Sequence, residues 1–317
     1  MPEGHVDKLL DTLKTKTSAE VYSDNFNKGR YATDASIYQM MPFGVLIPKT
    51  KSDLIETINY ARETRVPLLA RGGGTSQCGQ TVNNAIVIDN SKYLNKVLDF
   101  NKEKMTCIVE PGIVLDELNR FLKPYGLWFP VDVSTSSRAT IGGMAGNNSC
   151  GGRSIRYGMM RDNVINIEAI LYDGSIYNFG KIKSNHDNSS KSSGYEIIKK
   201  LQELAETNKE EIISKFPKVL RRVGGYNIDL INPEGFNTSN VLVGSEGTLS
   251  LFNKIKLKLW PIPKQKVLGV CYFESFSQAM ELTKEMVKLK PTTVELLDHN
   301  LIGLAKQIPI YAENIKK

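Results

Sequence analysis

The stretch Arg71-Gly72-Gly73-Gly74-Thr75-Ser76-Gln77-Cys78-Gly79-Gln80, followed by Ile86-Val87-Ile88-Asp89, decides how this chain is read. Apolar runs flank the glycines, Val66 to Ala70 before and Ala85 to Asp89 after. Both read as short buried strands. Adjacent glycines lose backbone entropy on folding and pack no side chain. What they supply is bare N–H groups and room for another molecule to come close. Successive N–H groups in such a turn make a concave anion site, and Thr75 and Ser76 add hydroxyl donors. The stretch reads as a diphosphate cradle, with an ordinary tight turn as the alternative. No Gly-Lys-Ser/Thr follows the glycines, and no G-x-G-x-x-G opens a helix after a strand. The triphosphate P-loop and the Rossmann fingerprint are therefore excluded by spelling.

Upstream, Val6, Leu9, Leu10 and Leu13 recur at helical spacing over 4–17, and 18–40 is polar and turn-rich. Gly44 to Ile47 reads as a strand ended by Pro48. Ser52 is the expected cap of a helix whose Leu54, Ile55, Ile58 and Ala61 share a face. With the strand Val66–Ala70 this makes a β-α-β unit, so part of the sheet is expected to be parallel.

Downstream, strands are expected near Lys96–Phe100 and Thr106–Val109, then a helix carrying Val114, Leu115, Leu118, Phe121 and Leu122. A second glycine cluster runs from Thr140 to Gly152. Its small residues suit close approach by a planar ligand, and Asn148 and Ser149 can hydrogen-bond ring heteroatoms. A close-packed glycine loop is the alternative. Strands at Val164–Leu171 and Ser175–Phe179 flank the hairpin signal Asp173-Gly174. A polar surface loop is expected over 180–193 and a helix over 195–207. Arg221 to Asn227 reads as a basic turn, and Gly244-Ser245-Glu246-Gly247-Thr248 is the third glycine element. A strand carrying Ile255, Leu257 and Leu259 ends at Trp260-Pro261. Beyond it, strands at Val267–Phe273 and Val294–Leu297, a helix at Gln278–Leu289 and a helix capped by Asp298 suggest a new α/β layer.

The chain has 317 residues, of which 41% are hydrophobic and 24% charged, which suits a globular protein with two domains. The net charge of +7 is spread along the chain. That favours an anionic ligand without the basic block that would imply nucleic acid. No run approaches the length of a membrane span, and the polar N-terminus shows no secretory signal. Cys78, Cys107, Cys150 and Cys271 form no CxxC pair, and His5, His186 and His299 form no H-x-x-x-H pair. Metal or iron–sulfur ligation by these residues is not expected, and a reduced, cytoplasmic setting is.

In order, Arg71-Gly-Gly-Gly-Thr-Ser, Glu110-Pro111-Gly112, Phe129-Pro130-Val131-Asp132, Thr140-Ile141-Gly142-Gly143, Arg156-Tyr157-Gly158 and Gly244-Ser245-Glu246-Gly247-Thr248 resemble the FAD-binding domain of the vanillyl-alcohol oxidase superfamily, the PCMH-type fold. More narrowly, 73–80, 128–135 and 143–151 resemble bacterial FAD-linked D-2-hydroxy-acid dehydrogenases. These are the D-2-hydroxyglutarate type above all, with glycolate oxidase flavin subunits and D-lactate dehydrogenases as relatives.

The resemblance implies an α+β fold: an N-terminal helical extension over 1–41, a PCMH-type domain over 42–265 made of two α/β subdomains at 42–125 and 126–265, and the incomplete start of a cap domain over 266–317. It implies that Gly72, Gly73, Gly74, Thr75 and Ser76 hold the FAD diphosphate, with Arg71 and Gln77 also among the cofactor-binding residues. Thr140, Gly142 and Gly143 would form the second wall, with Asp132 and Ser134 also among the cofactor-binding residues. Asn148, Ser149 and Gly151 would lie by the flavin, Val164 would meet it through its backbone, and Glu246, Gly247 and Leu249 would close the far side. Thr75, Ser76 and Gln77 stand where some relatives carry a flavin-tethering histidine, so non-covalent FAD is expected. The reaction implied is oxidation of a small 2-hydroxy acid to its keto acid by hydride transfer to the flavin.

The family's catalytic histidines and substrate arginines sit mainly in the cap, so no base is assigned here. Arg222 and Tyr226 read first as a solvated surface turn, with a turn facing the flavin as the alternative, and His299 reads as the opening of a helix with a catalytic role as the lesser reading. An iron–sulfur half would follow in a longer protein, whose peripheral membrane contact and electron acceptor stay open. A flavin transferase of the alkyl-dihydroxyacetone-phosphate synthase type and a catalytically silent flavin-binding module are the alternatives.

Overall fold

A computed structural model describes residues 3–182, 193–231 and 236–315. Most of the polar loop expected at 180–193 lies outside the described residues. The first helix, α1 (Glu3–Lys16), precedes strand β1 (Glu20–Tyr22), helix α2 (Asn25–Arg30), strand β2 (Gly44–Ile47), helix α3 (Lys51–Thr64), and strands β3 (Leu68–Arg71) and β4 (Ile86–Asp89). The four strands form one sheet in the order β1-β2-β4-β3. Both β2 and β3 run parallel to β4, as a β-α-β unit requires. Central β4 is buried throughout, whereas edge strand β3 is only half-buried.

Helix α3 is capped by Thr50 rather than Ser52. The Thr50 hydroxyl accepts from the Asp53 amide, and Asp53 accepts from the Thr50 amide, a reciprocal capping box. Spacing alone favoured Ser52, but the helix and its cap begin two residues earlier, with Lys51 the first helical residue. The turn-rich reading of 18–40 missed β1 and α2. Strand β1 is three residues long, and its pairing with β2 supplies its order.

The second sheet contains β5 (Val97–Asn101), β6 (Thr106–Val109), β8 (Val164–Ile170), β9 (Ile176–Phe179) and β10 (Leu251–Lys258). Its order is β5-β6-β10-β8-β9, with every pair antiparallel. A small ribbon pairs β7 (Leu127–Trp128) with β11 (Trp260–Pro261). Helices α4 (Leu115–Leu122) and α5 (Ile141–Asn147) cover the second sheet. Leu118, Leu122, Phe129, Ile141, Ile167 and Ile255 anchor its core, each 1% exposed or less. Each such side chain contributes about 1.5–3 kcal/mol through burial.

The first core holds Leu9, Leu10, Leu13, Leu54, Ile58, Ile86 and Ile88, and it also takes Ile170 and Leu251 from the second sheet. The two sheets thus share a seam. Arg62 reinforces it by donating to the Asp173 carbonyl at 2.9 Å, and Lys51 pairs with Glu168 at 3.5 Å.

Past Pro261 the helices form and the strands do not. Ser275 caps a helix over Phe276–Lys288, and Asp298 caps His299–Lys306 as expected. A further helix, Pro309–Ile315, was not anticipated. Val267–Phe273 and Val294–Leu297 carry no strand, and Val267 and Tyr272 are 97% and 89% exposed. A strand needs a neighbour to receive its backbone hydrogen bonds, and neither segment is paired among the described residues. A capped helix satisfies its own.

Candidate functional site

The three glycine elements meet in one cleft of about 430 Å³ between the sheets, within the range of small-molecule sites. Of the residues singled out from sequence, Arg71, Gly72, Gly73, Gly74, Thr75, Ser76, Gln77, Ser134, Thr140, Gly142, Gly143, Ser149, Glu246 and Gly247 line it. The first glycine loop leaves the carboxyl end of β3, and Asn90 follows the carboxyl end of β4. Open parallel sheets bind ligands at that edge.

Some of the glycines have a structural reason that the sequence did not show. A Cβ on Gly72 would lie 2.0 Å from the Thr140 hydroxyl, and one on Gly73 would lie 2.3 Å from the Arg138 carbonyl. Bare backbone lets the first loop touch the second cluster there. Gly74 alone of the three needs a left-handed backbone, with φ +63°. Elsewhere the missing side chain leaves open cleft. A Cβ on Gly146 or Gly247 would meet only Glu246 Cα at 4.0 Å or Ala70 Cβ at 3.7 Å.

The donors fit an anionic, many-oxygen ligand. Among the described residues, no backbone N–H from Gly72 to Gln77 donates to a protein acceptor. Six successive amides are left for something else, which is the chemistry of a phosphate nest. Buried Asn90 Oδ1 and Ser250 Oγ, both on residues lining the cleft, also lack partners. Native interiors rarely leave such atoms unsatisfied. The residues present therefore fit FAD.

Glu246 stands at the junction of the three elements. It accepts from the Asn147 amide at 2.9 Å and the Gln80 amide at 3.5 Å, and its backbone N–H donates to the Gly146 carbonyl. Loss of water between the cleft walls pushes its carboxyl above the ordinary range, against the pull of those amides. Its left-handed φ of +51° is uncommon for a residue with a side chain.

Five expected contacts fall elsewhere. Asp132 and Gly151 line an adjoining cleft that shares Val133, Ser134 and Cys150 with the first. Asp132 accepts from the Arg153 amide at 3.2 Å, and a Cβ on Gly151 would strike the Asp132 carbonyl at 2.3 Å. Asn148 is fully buried and ends α5 in a left-handed conformation. Its side-chain oxygen accepts from the Arg161 N–H at 3.1 Å and its side-chain nitrogen donates to the Arg222 carbonyl at 3.5 Å. The Val164 carbonyl accepts from Asn237 at 2.9 Å. Leu249 is 40% exposed and outside the lining.

Sequence reasoning passed over Asn90, Asn147, Gly146, Met144, Ser250 and Phe252, all of which line the cleft. Their signal was positional, at a strand end or beside a glycine already chosen. Arg222, read as a surface residue, is instead ion-paired with Asp229 and half-buried.

Residues 42–180 match the family described as FAD binding domain. The chain is 34% identical to D-2-hydroxyglutarate dehydrogenase of Haemophilus influenzae, covering 96% of this chain and 31% of that protein. It is 32% identical to the protein of that name from Escherichia coli, over 92% of this chain and 29% of the relative. Glycolate oxidase subunit GlcD of Bacillus subtilis is 29% identical, over 87% and 50%. The chain thus spans about a third of the length of the first two. Solved alkyldihydroxyacetonephosphate synthase superposes with a TM-score of 0.64 at 17% identity, over 90% of this chain and 47% of that one, and so shares the fold. With six free amides at the cleft, a mixed α+β frame and this match, residues 42–180 of the chain are an FAD binding domain of the PCMH type.

Proposed function

We propose that this chain holds FAD non-covalently in the inter-sheet cleft as part of an oxidoreductase acting on a D-2-hydroxy acid, D-2-hydroxyglutarate or D-lactate. The observation that carries the proposal is the run of unpaired amides from Gly72 to Gln77 at a cleft walled by the other two glycine elements. Relatives at 32–34% identity over most of the chain bear the D-2-hydroxyglutarate dehydrogenase name, which favours that substrate class over transferase chemistry.

The first loop and Thr75 and Ser76 would hold the diphosphate, while Gly143, Gly146 and Ser149 would leave room for and hydrogen-bond the ring system. Bound FAD would supply the two-electron acceptor, and the protein supplies orientation and electrostatics. Among the described residues no helix is long and apolar enough to cross a membrane.

Titrating the purified chain with FAD tests the first part, with saturable one-to-one binding expected. Anaerobic bleaching of bound flavin by D-2-hydroxyglutarate or D-lactate, in the longest natural form of the protein, tests the second. Flavin that binds and is bleached by neither acid would overturn the substrate assignment and leave the cofactor site standing.

A further inference from the structure

Arg71 lines the cleft and was expected among the residues that bind the cofactor. Its guanidinium is turned away from that task. Nη1 donates to the Tyr31 carbonyl at 3.2 Å and the Thr81 carbonyl at 3.1 Å, and Nη2 donates to the Thr33 carbonyl at 2.9 Å. The group stacks over the Tyr31 ring, 5.3 Å from its centroid. It also lies directly under the loop, since a Cβ on Gly74 would sit 2.6 Å from Nη2. Burial pulls its pKa below the ordinary arginine range, against the opposing pull of Asp89 and Asp34.

The segment these bonds reach touches the glycine loop at further points. The Ala35 amide donates to the Gly74 carbonyl at 3.0 Å. The Thr81 hydroxyl donates to Asp34 Oδ2 at 2.9 Å. The Tyr38 ring fills the space beside Gly79, where a Cβ would lie 2.6 Å from it. The Tyr31 hydroxyl donates to Asp89 Oδ2 at 2.7 Å, at the end of β4.

We infer that residues 31–38 are a strap clamped beneath the glycine loop, and that Arg71 is the positioning residue joining the two. The strap holds Gly72 to Gln77 in the shape that keeps their amides free for a diphosphate. On this view the working cofactor site begins before residue 42, where the family match starts. A loop rich in glycine has many shapes of similar energy, so an outside constraint is needed to select one. The planar fork of Arg reaches three carbonyls at once, which a lysine ammonium on its flexible stem does not reproduce. The inference rests on the flavin site, and the experiment separates the two.

The test compares Arg71→Lys, Arg71→Gln and Asp34→Asn with wild type in the full 317-residue chain. FAD affinity is measured by titration, and backbone hydrogen exchange is followed by mass spectrometry without ligand. A direct clamp on phosphate works through charge and is rescued by Lys. A positioning role works through the fork and is not. Both Arg71 variants are expected to weaken FAD binding by about tenfold or more, and Asp34→Asn by about threefold. Exchange should quicken at 72–81 and stay unchanged in β8 and β10.

Wild-type affinity in Arg71→Lys overturns the inference, as does equally faster exchange throughout both sheets. Should neither Arg71 variant fold, Asp34→Asn decides by the same two readouts. A wild-type chain without FAD affinity overturns the flavin site itself, and this inference with it.

Discussion

The Asn147 side-chain amide donates to Glu246 Oε1 at 2.9 Å, tying the end of α5 to the third glycine element across the mouth of the cleft. One carboxyl therefore joins two walls that are about a hundred residues apart in sequence. Burial in the cleft also pushes that carboxyl above its ordinary range.

Replacing Glu246 by Gln should change the pH dependence of the chain without FAD. The folded-state pKa is raised above 4.5, so the folded protein holds this proton more tightly than the unfolded chain does. The contribution to stability is full below the unfolded value and is lost as pH rises through the folded one. Glu246→Gln should therefore gain stability relative to wild type as pH goes from about 4 to about 7. Thermal melts at matched ionic strength measure it. FAD affinity of wild type should fall over the same range, because an ionised carboxylate then shares the cleft with a diphosphate, and should stay flat in the variant.

Gly146→Ala should separate folding from binding. Outside its own helix backbone the added methyl meets nothing nearer than Glu246 Cα at 4.0 Å, and the position is helical. Ala in place of helical Gly stabilises by about 0.5–1 kcal/mol, less near a helix end. A midpoint of thermal unfolding raised by about 1–3 °C is expected. FAD affinity should drop nevertheless, because the methyl enters the cleft. Equal or tighter binding would show that the ligand does not lie against α5.

Asp53 is the sharpest test of the seam between α1 and α3. Its carboxylate is 3% exposed and accepts from the amides of Ser18, Lys49 and Thr50 and the Ser18 hydroxyl. Burial pushes the carboxyl up, but those donors outweigh it and hold it below 3.8. The depressed pKa means stability that is present above 3.8 and lost as pH falls. Asp53→Ala leaves several donors unpaired and should destabilise by about 2–3 kcal/mol at neutral pH. Urea denaturation would show it, and the penalty should shrink in acid.

The thiols report ligand occupancy. Cys107 is fully buried, and burial pushes its thiol up to about 12, so a disulfide reagent at pH 8 should leave it untouched until the chain unfolds. Cys78 and Cys271 are exposed and Cys150 is partly so. Cys78 and Cys150 line the cleft. Saturating FAD should slow their labelling and leave Cys271 unchanged. Protection of Cys271 alone would place the ligand elsewhere.

Local patterns determined much of this protein before any coordinates. Period-3.6 spacing placed α1, α3 and α4, short apolar runs placed β2 and β4, a hairpin signal marked β8 and alternation placed β10, because each of these signals is carried by the element's own residues. The glycine clusters marked a candidate ligand loop, because bare backbone offers N–H groups to another molecule. Only the tertiary structure decided what those glycines and their neighbours touch. Gly72 is bare because Thr140 lies against it, and Asn148 is a helix end held by Arg161. Arg71 reaches back to carbonyls of Tyr31 and Thr33 rather than into the cleft. The strands expected beyond Pro261 failed for the same reason that these roles were hidden. Spacing within a segment records its own periodicity, while hydrogen-bond partners distant in sequence are chosen only when the chain closes on itself.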